Sequence, residues 1–286
     1  MIRVATVLIY TCTLASSVSA MVGGAPPAGK ETGGAVVMLT GSRGTFCSGV
    51  ALARDIVLTA AHCVQPGANY KLVEFDDARQ PTLKDLAGIA HHPDFDVNAA
   101  VRHRITADIA LIKLAAPLQV VPAPLVSAGG PIAAGDRFVV AGYGVAIPGD
   151  GKSAGTVRAA TLVATGQPGT LQIRLADPVT KGELPGLGAC TGDSGGPVYR
   201  EIGRMPAVIG VVSWSTGAAA SEGCGGLTGV TPLARYRAWI IDQAVKMGLH
   251  CFLAGPRSCR LKCANGVMRV NVQLLQTRCD RTSFEA

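Results

Sequence analysis

Cys-Thr-Gly-Asp-Ser-Gly-Gly-Pro-Val, residues 190–198, has the composition of a turn. Three glycines and a proline in nine residues break both the helical and the strand periodicity. Among its glycines the stretch sets the hydroxyl of Ser194. A serine hydroxyl is a poor nucleophile unless a base lies within hydrogen-bond reach and a carboxylate fixes that base. Two other short stretches supply those groups. LTAAHCV, residues 58–64, carries His62 beside Cys63, and ADIALIKL, residues 107–114, places Asp108 ahead of an alternating apolar strand. A developing oxyanion needs a pair of backbone N–H groups approached without side-chain obstruction, which Gly192 and Ser194 would offer. Each stretch alone has a plainer reading: a structural histidine, a turn aspartate, a glycine turn. The three together point to nucleophilic catalysis by His62, Asp108 and Ser194.

The surrounding chain fits an exported protein. Of 286 residues, 48% are hydrophobic and 16% charged, enough for a sizeable buried core. Arg3 opens a short positive region, residues 4–14 are mostly apolar, and Val18-Ser19-Ala20 has the small residues of a signal-peptide cleavage site. The apolar run is short for a membrane span. Cleavage after Ala20 leaves eight cysteines, an even number that in an exported chain reads as four disulfides. It also leaves a net charge of +6, too mild to imply nucleic acid by itself. The expected location is secreted or periplasmic, with no membrane anchor after signal removal.

Short β-branched runs recur between turn signals, at 35–39, 56–59, 71–75, 109–114, 137–141, 157–164, 171–175 and 207–214. They predict an all-β chain of barrels or a sandwich, with the Pro/Ala/Gly-rich stretch 115–135 as connector between two halves. Thr231 as N-cap and Pro232 as first residue predict one helix over 232–247, ended by Gly248. A distinct extension, 249–286, follows it.

In its order of motifs the chain resembles the chymotrypsin/trypsin family of serine endopeptidases, in the style of bacterial members. The segments are MVGG (21–24), FCSGV (46–50), LTAAHC (58–63), HHPDF (91–95), DIALIKL (108–114), AGYG (141–144), GDSGGP (192–197) and VVSWS (211–215). The resemblance implies two six-stranded antiparallel β-barrels, about 21–120 and 121–231, with a C-terminal helix and the active site between the barrels. It implies polypeptide substrates, an acyl-enzyme intermediate, an oxyanion hole at Gly192 and Ser194, and no cofactor or metal. It pairs Cys47 with Cys63 and Cys190 with Cys224, and gives Ser213 the role of a hydrogen-bond donor to Asp108. It also implies that a freed Met21 ammonium folds inward to pair with Asp193. The signal cleavage site abuts Met21, so export alone is expected to generate the active form. The alternative is a non-proteolytic binding or adhesion protein on the same scaffold; such proteins usually lose one of the three catalytic residues, and this chain keeps all three.

The same resemblance places the primary substrate pocket at Gly188, Ala189, Ser213, Trp214, Ser215 and Gly225. Gly188 stands where a preference for Arg or Lys would need a carboxylate, so a neutral pocket for small or medium apolar side chains is expected. Glu222 could turn inward and restore a basic preference, or remain a solvated loop charge. His91, His92, Asp94, Asp96 and His103, like Glu74, Asp76 and Asp77, show no defined metal-ligand pattern. In the extension, Met268, Val270, Val272 and Leu274 alternate with polar residues as in a half-buried strand. Cys251, Cys259, Cys263 and Cys279 allow three pairings, giving a small disulfide-stapled tail. Its charge of +4 admits either a solvated face or an anionic partner.

Overall fold

The computed structural model describes residues 21–76, 78–98, 106–126, 130–202, 205–217 and 221–248. Residues 1–20, expected to be a signal segment, the extension 249–286 with its four cysteines, and Asp77 and His103 lie outside the described residues.

Among the described residues twelve strands form two closed antiparallel barrels, which is the architecture expected from the motifs. The first barrel takes β1 (Val36–Gly41), β2 (Phe46–Ala53), β3 (Ile56–Thr59), β4 (Tyr70–Phe75), β5 (Pro81–His91) and β6 (Ala110–Leu114), in the order β1-β2-β3-β6-β5-β4. The second takes β7 (Arg137–Gly142), β8 (Arg158–Ala164), β9 (Ile173–Ala176), β10 (Pro197–Ile202), β11 (Met205–Ser215) and β12 (Thr228–Pro232), in the order β10-β11-β12-β9-β8-β7. A four-residue helix α1 (Lys30–Gly33) precedes β1.

Strand patterning follows burial. Along β8 the residues alternate: Ala160, Leu162 and Ala164 point into the second barrel while Ala159, Thr161 and Val163 are half-buried. β2 and β3 are instead buried on both faces. Ala51 and Val57 pack inside the first barrel with Val37, Leu39, Leu72 and Ile112. Val50, Leu52, Ile56 and Leu58 turn outward against Ala141, Tyr143, Tyr199, Val208 and Val211 of the second barrel. This apolar layer joins the barrels and sets the depth of the cleft between them. The connector is pinned to both: Ala123 N–H donates to Ala51 O at 2.9 Å and Val126 N–H to Val208 O at 3.0 Å.

Four strands, β2, β5, β10 and β12, were not predicted by the local runs. β2 lacks alternation because neither face meets water, and β5 and β10 open on a proline. β12 requires a correction. Thr231 and Pro232 end this strand instead of starting the helix: both pair with β11, and the strand they extend lies between β11 and β9 as far as Val230, with Val230 and Thr231 buried. Strand pairing and burial outweigh one local cap. The helix α2 runs Arg237–Lys246 after a 3-10 turn at Ala234–Tyr236, with no side-chain cap. Its buried residues Ile240 and Ala244 join Leu233 and Tyr236 in the layer between the barrels. No helix of the described residues is long and apolar enough to cross a membrane.

Candidate active site

His62 lies on a single 3-10 turn, Ala61–Val64, leaving β3. The Cys47–Cys63 disulfide ties that turn to β2. Asp108 ends the loop into β6 and is 5% exposed. Its carboxylate has three donors. Oδ1 accepts the His62 backbone N–H at 3.0 Å, and Oδ2 accepts His62 Nδ1–H at 2.8 Å and the Ser213 hydroxyl at 2.5 Å. Ser213 belongs to β11, so the second barrel holds a carboxylate carried by the first.

Burial works to push the Asp108 pKa up, but the His62 hydrogen bond and charge and the Ser213 hydroxyl outweigh it and hold it low. Burial likewise works to lower the His62 pKa and is outweighed by the bond to, and charge of, Asp108, so that it lies above 6.5. With Nδ1–H committed to the carboxylate, the neutral ring carries its lone pair on Nε2. Nε2 and the Ser194 carbonyl oxygen both lie 3.7 Å from Cys63 Sγ, which places the ring beside the Ser194 turn. No hydrogen bond joins the Ser194 hydroxyl to the ring among the described residues. In uncomplexed sites that contact is often loose and tightens with substrate.

The Ser194 turn is held by its own backbone. Asp193 N–H donates to Cys190 O at 3.0 Å, Gly196 N–H to Asp193 O at 2.9 Å and Gly195 N–H to Val212 O at 2.7 Å. Two glycines are obligatory. Gly192 has φ +95° and a Cβ there would lie 2.1 Å from the Phe46 ring; Gly195 has φ +79° and a Cβ would lie 2.1 Å from Thr59 Oγ1. No hydrogen bond within the described residues uses the N–H of Gly192 or of Ser194.

Asp193 is fully buried. Among the described residues its carboxylate meets only backbone donors, Gly144 N–H on Oδ1 and Cys190 N–H on Oδ2, each at 2.9 Å. Burial pushes its pKa up to about 7 against these two bonds. Met21 is also fully buried, in the core of the second barrel with Phe138 and Ala189, and Val22 bridges to Gly188. The first residues of the described chain therefore run beside the segment that carries Asp193.

At the expected pocket, Gly188 and Gly225 pass backbone to backbone, and a Cβ on Gly188 would lie 3.0 Å from Gly225 Cα. Ala189 N–H donates to Thr228 Oγ1 at 3.0 Å. Across the strands Ser215 pairs with Thr228 and Trp214 with Gly229, whose Cα the Trp214 ring covers. The Ser215 hydroxyl turns to Gly223 O at 2.8 Å. Glu222 is exposed, with its carboxylate against Gly149 of a neighbouring loop. Thr228 was not singled out from sequence; reading 228–232 as a strand would have placed it opposite Ser215. The Cys190–Cys224 disulfide closes this region.

Potential metal donors have other partners. Ligand atoms of Cys47, His62 and Cys63 lie within 4.8 Å of one another, but the two sulfurs are joined as the disulfide and offer no thiolate. His91 Nε2 bonds to Val64 O at 2.9 Å, while His92 packs on Tyr236 and Trp239. Glu74 is paired with Lys84 at 3.1 Å.

The family model described as "Trypsin" matches residues 21–240. The chain is 30% identical over 219 residues to a vitellin-degrading protease of Bombyx mori, covering 71% of this chain and 78% of that protein. It is 28% identical over 215 residues to a trypsin of Phaedon cochleariae, covering 69% and 78%. A solved mutant of human heparin binding protein (CAP37) shares the fold, with a TM-score of 0.61 and 21% identity, covering 78% of this chain and 96% of that one. With a matching family model over most of its length and both barrels closed in the order described, the chain belongs to the trypsin family.

Proposed function

We propose that the protein is a secreted or periplasmic serine endopeptidase working through an acyl-enzyme. The observation that carries the reading is the Asp108 carboxylate, which takes the backbone N–H and the Nδ1–H of His62 together with the Ser213 hydroxyl. That arrangement leaves Nε2 as the base on the side of Ser194. The Ser194 hydroxyl attacks the scissile carbonyl carbon and its proton passes to His62 Nε2; the oxyanion takes the idle N–H groups of Gly192 and Ser194. His62 returns the proton to the leaving amine as the C–N bond breaks. Water, deprotonated by the same nitrogen, then attacks the acyl carbon, and His62 hands that proton to Ser194 Oγ as the ester C–O bond breaks and the acid is released. No step draws on a cofactor.

Ser215 and Thr228 face each other across the pocket strands, and no acidic residue stands at Gly188 or Ala189. The substrate side chain preceding the scissile bond is therefore small or medium and apolar. Removal of residues 1–20 alone supplies the Met21 ammonium for Asp193, with no further cut. The two disulfides fit an oxidising compartment. The basic extension 249–286 is a stapled addition to the domain, with an anionic partner as its alternative role.

The test is labelling of the processed protein with a fluorophosphonate probe. Labelling that is lost in Ser194→Ala supports the reading. A folded, correctly processed sample that takes no label is instead a binding protein on this scaffold.

A further inference from the structure

The Ser194 turn alone does not fix the direction of the Gly192 N–H. Glycine occupies φ +95° without penalty but has no intrinsic preference that keeps it there, so the adjoining peptide planes rotate cheaply unless something grips them. The Thr191–Gly192 plane, which carries that N–H, is held at Thr191 O by Val145 N–H at 2.9 Å, and the Gly192–Asp193 plane by Asp193 N–H on Cys190 O at 3.0 Å. A further grip on the second plane comes from the other barrel. Ser48, on β2, is fully buried. Its hydroxyl donates to Gly192 O at 2.8 Å and accepts from Tyr143 N–H at 2.9 Å. Its backbone N–H donates to Ser194 O at 2.8 Å, and its carbonyl accepts the Thr59 hydroxyl at 2.7 Å.

The proton arrangement at Ser48 has one solution. Tyr143 N–H can only donate and Gly192 C=O can only accept, so the single hydroxyl proton is committed to Gly192. Tyr143 is held in turn by stacking on Phe75, ring centroids 5.8 Å apart. Ser48 thus binds the carbonyls at both ends of the three-residue turn 192–194 and leaves free the two N–H groups that would receive an oxyanion.

We propose that Ser48 is a positioning residue of the oxyanion site: its buried hydroxyl clamps the Gly192 carbonyl from the opposite barrel, which fixes the Gly192 torsions against the Thr191–Gly192 plane held by Val145 and so keeps the Gly192 N–H toward the cleft. It touches no substrate. The inference rests on the acyl-transfer reading above and names a further part of that machinery.

The experiment compares wild type, Ser48→Ala and Ser48→Thr, the last retaining a hydroxyl, on a chromogenic peptide amide with alanine before the cleaved bond. Affinities are measured for a peptide boronic acid of the same sequence, which mimics the tetrahedral intermediate, and for the product peptide carboxylate. Unfolding midpoints establish the folded fraction at the assay temperature. In Ser48→Ala, kcat falls about tenfold to a hundredfold with KM within about twofold. The boronic acid weakens by the same factor as kcat/KM, product affinity is unchanged, and Ser48→Thr recovers most of the loss. A Ser48→Ala enzyme with wild-type kcat, a rise in KM at constant kcat, or equal weakening of the boronic acid and the product overturns the proposal. Wild type that fails to cleave the amide overturns the endopeptidase reading and this inference with it. Cleavage by wild type with no Ser48 effect overturns the inference alone.

Discussion

Asp193 gives a prediction whose size and pH range follow from the structure. In the full chain Met21 is joined to Ala20 and has no ammonium, and burial pushes the Asp193 carboxyl from 3.8 up to about 7. At about 1.4 kcal/mol per tenfold, that separation means the bare carboxylate costs the fold roughly 4 kcal/mol once ionised. The sign follows from linkage. A carboxyl whose folded pKa is raised gives its stability below its unfolded pKa and loses it as pH rises through the folded value. A form with two extra residues ahead of Met21 therefore loses stability between about pH 4 and pH 7. The form starting at Met21 has an ammonium of ordinary pKa near 8, raised further by pairing, and keeps its stability until pH climbs past that raised value. The two forms should melt together near pH 4. They should differ most near pH 7–8, by about 10 °C for a domain of this size, and converge again at higher pH. Because Cys190 N–H, a donor to Asp193, opens the Ser194 turn, activity at pH 8 should differ by up to about a thousandfold. Differential scanning calorimetry across pH and amide hydrolysis at pH 8 test both parts. Equal melting curves from pH 4 to 8, or full activity in the extended form, refute the reasoning.

Because Asp108 holds His62 above 6.5 and the base must be neutral, the acid limb of kcat/KM should show an apparent pKa above 6.5. Asp108→Asn should move that limb to lower pH, leaving burial as the main influence, and cut kcat by about 10⁴; an unmoved limb contradicts the assignment. Thr228→Gly, by clearing the wall opposite Ser215, should raise kcat/KM for phenylalanine relative to alanine before the cleaved bond by about tenfold to a hundredfold. A peptide-library profile that does not change rules Thr228 out as a wall. Leu58→Ala removes a fully buried side chain from the layer between the barrels and should cost about 2–5 kcal/mol in urea unfolding; a loss under 1 kcal/mol would show that the layer is not tightly packed.

The sequence by itself determined the chemical inventory: a serine in a glycine turn, a histidine beside a cysteine and an aspartate before an apolar strand, in an order that resembles one family and therefore carries that family's two-barrel fold. Such motifs are legible because part of their constraint is local, as with Gly192 and Gly195, whose φ of +95° and +79° disfavour any side chain. Local signals failed where a segment's state depended on distant partners. Thr231-Pro232 looks like a helix start until β11 pairs with it, and β2 shows no alternation because the second barrel covers its outer face. Only the tertiary structure brought Ser213 onto Asp108, Thr228 opposite Ser215 and the Ser48 hydroxyl onto Gly192. Each of these contacts joins residues between 13 and 144 positions apart, at distances of a few ångströms that no local pattern encodes and that closure and packing of the two barrels decide.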